Sequence, residues 1–157
     1  MKRAIPKLAG ALQNGVAAIE LALCLSACAL LAPTVLALAG VFLHYAAMQK
    51  AVHEGARYMA SLPPQALGTD AAATQAMAAA RAIMVETARQ AGLEVTLQPE
   101  QIIIECDGFA CYGTLPSSIK VSAAINVPLS TELFSTETSG TVQVRASHTM
   151  RYGYAGN

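Results

Sequence analysis

From residue 16 to residue 43 the chain is apolar with little interruption, somewhat longer than the roughly 20 residues a helix needs to cross a bilayer. Beyond it, Tyr45, Met48, Val52, Ala56 and Met59 recur at spacings of three and four, with Gln49, Lys50, His53, Glu54 and Arg57 around them. That period predicts one long helix over residues 16–62, membrane-spanning over 16–43 and amphipathic after it. Pro63 and Pro64 end it, because proline lacks the amide donor and restricts the residue before it. Pro33, midway along the apolar run, is expected to kink or locally melt the helix. After a short loop, Thr69 or Asp70 caps a second helix that runs to Ala91, with Gly92 as its stop signal. Its apolar face is Ala73, Ala76, Met77, Ala80, Ile83, Met84, Ala88 and Ala91, opposite Gln75, Arg81, Glu86 and Gln90, so it is expected to lie on a sheet.

The period then drops to two. Strands are predicted over residues 94–97, 101–106, 119–127 and 142–150. Ile102, Ile103 and Ile104 in the second imply burial on both faces. His148, alternating with apolar residues in the fourth, is expected to be a satisfied core or edge histidine. Strands joined by loops, with no intervening helix, imply an antiparallel sheet. The fold class is therefore α+β: a long N-terminal transmembrane helix extended out of the membrane, then a head over residues 69–157 with one helix packed on about four antiparallel strands.

Length and charge narrow the function. At 157 residues there is room for one membrane helix and one small domain. Net charge is zero, but Lys2, Arg3 and Lys7 all precede the apolar run. Those cations are expected to hold the N-terminus in the cytoplasm and send the head outward, into an oxidising compartment. If residues 1–15 are a leader that is removed, the mature chain carries seven basic and ten acidic residues, and no basic patch remains for nucleic acid.

Glu20 is the one carboxylate inside the apolar run, five residues beyond Gly15. An ionisable group within a membrane helix costs roughly 2.5–3.5 kcal/mol on insertion scales at the bilayer centre, which makes it a functional candidate by default. A cut after Gly15 would make Val16 a new N-terminus and Glu20 the fifth residue, one helical turn from the new ammonium group. Gly15-Val16-Ala17-Ala18-Ile19-Glu20 resembles the processing site of type IV-like prepilins. The resemblance implies a membrane-embedded prepilin peptidase that cuts after Gly15, and a role for Glu20 in pairing with an N-terminal amine during assembly. A second stretch, Ala51-Val52-His53-Glu54-Gly55-Ala56-Arg57-Tyr58-Met59-Ala60, looks like the TadE-like minor pilins or pseudopilins of the tight-adherence pilus. It departs from that family at Leu21, where an aromatic often follows the glutamate. The two motifs cover the anterior third of the chain, and the head matches only in general layout.

What this likeness implies is a non-enzymatic subunit without cofactors, stored in the bacterial inner membrane with its head in the periplasm and later part of a pilus or the cell surface. Its partners would be the peptidase, the major pilin and other pilin-like subunits, and the inner-membrane assembly platform. The residues by themselves also fit a permanently anchored periplasmic binding or sensing domain, with Gly15 and Glu20 incidental. Two other N-terminal readings fit less of the chain. Leu25-Ser26-Ala27-Cys28 has the four-residue pattern of a lipoprotein signal, and Ala37-Leu38-Ala39 that of a small-residue cleavage site, yet the sequence stays apolar past both.

Gly55 is small enough to admit another helix, with Arg57 placed to pair across such a contact. Cys24 and Cys28, one turn apart in the apolar run, read as small packing residues. Cys106 and Cys111 flank Asp107-Gly108-Phe109-Ala110, a turn-like tetrapeptide, and a disulfide between them would close a loop of about six residues worth roughly 2 kcal/mol. Zinc fits poorly, since two thiols lack a second ligand pair and His44, His53 and His148 stand at no metal-ligand spacing from them. Glu94, Glu100, Glu105, Asp107, Glu132 and Glu137 are scattered, with no candidate base beside a nucleophile and no glycine-rich phosphate loop, so no catalytic residue is assigned.

Overall fold

The computed structural model describes residues 9–93, 95–111, 115–129 and 140–153, with side chains from residue 16 onward except at Leu129. Helix α1 spans Ala9–Ser61 and runs unbroken through Pro33, so the expected local melting does not occur. Its described part reaches back seven residues before Val16, through Ala9, Ala11, Leu12 and Gln13, which are good helix formers with no proline among them. Helix α2, Asp70–Gln90, begins where its cap predicts: the amide of Ala72 donates to the Thr69 hydroxyl at 3.3 Å. It ends at Gly92, whose φ of 82° lies in the left-handed region that favours glycine. On its surface, Arg89 bonds both carboxylate oxygens of Glu86, at 2.9 and 2.7 Å. That guanidinium, with the Gln90 amide, holds the Glu86 carboxyl at about 2, and the Glu86 carboxylate in turn pushes Arg89 up.

Three strands, β1 (Ile102–Cys106), β2 (Ser118–Leu129) and β3 (Gly140–Arg151), form an antiparallel sheet in chain order. Ile104 faces Val121, and Val121 in turn faces His148, which fixes one row across the sheet. The first expected strand, over residues 94–97, is absent among the described residues. Glu94 lies outside the described residues, and residues 95–97 run as irregular chain. Leu93 and Leu97 are buried all the same. Two-residue alternation selects which side chains turn inward, but a strand also needs a ladder partner. Here a 3-10 turn at Pro99–Gln101 redirects the chain, locked by the Gln98 amide donating to the Gln101 side chain at 2.9 Å.

The packing of the helices also departs from expectation. Helix α1 lies on β2 and β3, and the principal partner of α2 is α1 rather than the strands. Ala47, Met48, Ala51, Val52, Ala56 and Met59 of α1 enter the same core as Ala73, Ala76, Ala80, Met84 and Ala88 of α2. The distal end of the long helix is thus core of the folded unit. The opposite face of the sheet stays open, so Ile103 is 57% exposed between two buried isoleucines, not buried on both faces. Arg81 is half-buried rather than outward, and its Nε finds no hydrogen-bond partner.

The end of β3 secures the end of α1. The Tyr152 hydroxyl donates to the Leu62 carbonyl at 2.7 Å, and the Gly153 amide donates to the Ala60 carbonyl at 3.3 Å. These bonds satisfy carbonyls that a helix C-terminus leaves without partners.

Candidate functional site

Two regions carry the candidate residues: the bare proximal part of α1 and the tip and flank of the head. Over residues 16–46 nearly every side chain of α1 faces outward, Pro33 being the buried exception. The run Val16–Ser61 contains a window of mean hydropathy 2.3, and one helix in the described structure is long and apolar enough to cross a membrane. Val16 is 65% exposed, with Ile19, Leu21, Leu23 and Leu25 similarly bare. Glu20 stands among them, exposed and without an ion-pair or hydrogen-bond partner among the described residues. The structure therefore keeps Gly15, Val16 and Glu20 within two turns of one helix, with Val16 and Glu20 exposed. Cys24 and Cys28 are unbonded and exposed on the same segment.

Gly55 is buried inside the head. A Cβ built there would lie 2.6 Å from Cγ and Sδ of Met84 and 3.7 Å from Val121. The helix it admits is α2 of the same chain. Arg57 does not cross that contact: its side chain is 71% exposed and approaches Glu54 of its own helix at 3.9 Å, a pair worth little in water.

At the tip, Cys106 and Cys111 are joined by a disulfide with Cα atoms 5.0 Å apart. Between them Asp107 and Gly108 take φ of 52° and 85°, two successive left-handed residues closed by the Phe109 amide donating to the Cys106 carbonyl at 3.0 Å. That is the Asp-Gly turn whose twist matches paired strands. The Asp107 carboxylate accepts from the Ser117 hydroxyl at 2.6 Å, the Ser117 amide at 2.8 Å, and the Ser118 amide and hydroxyl at 2.8 and 3.0 Å. The Ser117 hydroxyl, followed by these other donors, holds the carboxyl down at about 2. Four donors on one carboxylate make it a structural latch, and Phe109 beside it is left 79% exposed.

One juxtaposition was invisible in the spacing. His53 on α1 and His148 on β3 meet with Nδ1 3.3 Å from Nε2. No signal in the linear sequence joins residues 95 apart on a helix and a strand, and only the inward face of β3, read together with a helix laid on that sheet, could have hinted at it. No group of three or more histidine, cysteine or acidic side chains converges among the described residues.

No protein-family model, curated protein or solved structure matches the chain.

Proposed function

We propose that this chain is a minor pilin or pseudopilin of the TadE-like kind, a subunit of a tight-adherence pilus stored in the inner membrane and assembled with pilin-like partners. The observation that carries the reading is Glu20: a carboxylate with no partner among the described residues, on a bare apolar helix, five residues after a glycine. Insertion is favourable despite it. The twelve large apolar side chains exposed over residues 16–43 contribute about 4–7 kcal/mol at about 0.3–0.6 each, against roughly 3 for the carboxylate. At 1.5 Å per residue, that segment is also about 12 Å longer than the hydrocarbon core, which brings Glu20 toward the cytoplasmic boundary. A carboxylate placed there is retained for a purpose other than insertion, and pairing with the terminal ammonium of a neighbouring mature subunit is the purpose that its distance from Gly15 fits.

Gly15 lies within α1, so a peptidase must open the helix to reach the bond after it. Glycine is where that opening costs least, being about 1 kcal/mol poorer than alanine in a helix interior. The experiment is mass spectrometry of the chain purified from membranes. A mature N-terminus at Val16 in the native chain, with Gly15→Val accumulating as the unprocessed form, is the expected result. A start at Met1 in both would replace this reading with a permanently anchored periplasmic binding or sensing domain.

A further inference from the structure

We infer that His53 and His148 form a binding site for a divalent transition-metal ion on the flank of the head, independent of the assembly role proposed for Glu20. The two facing nitrogens are 3.3 Å apart, with ring centroids at 4.7 Å and planes inclined by 69°. Two nitrogens on one tetrahedral zinc ion, each at about 2.05 Å, are separated by about 3.3 Å. The pair thus already holds the bite that such an ion requires. Without metal, one ring must donate its proton to the other. On coordination that proton moves to the far nitrogen of the donating ring, both lone pairs turn to the metal, and two nitrogen–metal bonds form with no change of oxidation state.

The ligands stand on rigid elements. His148 sits opposite Val121 on the central strand. The Val121 side chain lies close under Gly55, two residues along α1 from His53. Helix and strand therefore cannot drift apart without disturbing the core, and a preset spacing of this kind favours chelation. The far nitrogens, His53 Nε2 and His148 Nδ1, have no partner in the described structure and are free to carry protons to water. His53 is exposed and His148 half-buried, so the remaining coordination positions open to solvent. Of the charged residues near His53 on α1, Arg57 is drawn to Glu54 at 3.9 Å and Lys50 is exposed. Two imidazoles and water select zinc, copper or nickel over magnesium or calcium, which prefer oxygen ligands. With two protein ligands the site is labile, and its open positions can accept a side chain from another molecule.

The test is calorimetric titration of zinc chloride into the full chain in detergent micelles, paired with thermal unfolding. One zinc per chain, with a raised unfolding temperature, is expected for the native protein. His53→Ala and His148→Ala should each weaken binding at least tenfold and remove the thermal shift. His44→Ala, which changes the histidine bonded to the Gly40 carbonyl, should leave both unchanged. His53 is exposed, so that variant keeps its fold and decides the matter even if His148→Ala does not. Equal zinc binding by the native chain and His53→Ala would overturn the site.

Discussion

Replacing Gly55 with alanine sets two effects of known size against each other. Alanine is favoured over glycine in a helix interior by about 0.8–1.0 kcal/mol. The added methyl, however, lands 2.6 Å from Cγ and Sδ of Met84, a side chain with no exposed surface. Forcing an extra carbon into a packed core costs about 1–3 kcal/mol, and methionine, which rearranges readily, holds this to about 2. The expected net loss for Gly55→Ala is about 1 kcal/mol. Met84→Ala alone opens a cavity at a cost of about 2–5 kcal/mol. In that background the clash is gone, and Gly55→Ala should stabilise by about 1 kcal/mol through propensity and partial filling of the space. The two substitutions should therefore couple by about 2 kcal/mol, the double variant being more stable than the sum of the singles predicts. Urea unfolding of the full chain in micelles can be followed by tyrosine fluorescence, since the chain has no tryptophan and Tyr152 is buried. Additivity within about 0.5 kcal/mol would show that Met84 is not what fills the space above Gly55.

Glu20→Gln should reach the membrane at least as well as the native chain, yet recover at least about tenfold less pilin-like partner in a pull-down at matched abundance, because the partner's ammonium would be left unpaired in a poorly solvated setting. Equal recovery would mean that the carboxylate serves its own chain or nothing. The double replacement Cys106→Ser with Cys111→Ser should lower stability by roughly 2 kcal/mol, the value for so short a loop; an unchanged urea midpoint would count against it. Asp107 titrates near 3.8 when unfolded and at about 2 when folded, so the stability it contributes is intact above pH 3.8 and is lost as pH falls toward 2. Glu86 titrates in the same window in both proteins, so Asp107→Asn should flatten the acid limb of stability relative to the native chain rather than abolish it. Superimposable acid limbs, measured by thermal unfolding at a series of pH values, would contradict the latch assigned to Asp107.

Local signals were legible in the residues alone wherever one turn or one strand decides the outcome. The change from an unbroken apolar run to a three-and-four period marked α1 as a membrane-length helix with an amphipathic extension, while its place in the core of the head came only from the tertiary structure. Thr69 and Gly92 bounded α2, because capping and left-handed termination depend on a few adjacent atoms. Two-residue alternation located the inward side chains of β2 and β3, and the Asp107-Gly108 turn brought Cys106 within bonding distance of Cys111. Pairing across long separations was not legible. Alternation ahead of Pro99 resembled a strand but met no ladder partner, and periodicity could say that α2 has an apolar face but not that α1 would cover it. The close approach over Gly55 and the meeting of His53 with His148 depend on how α1 is laid across the sheet. That placement is set by the joint packing of two helices and three strands, and no single segment of the chain contains it.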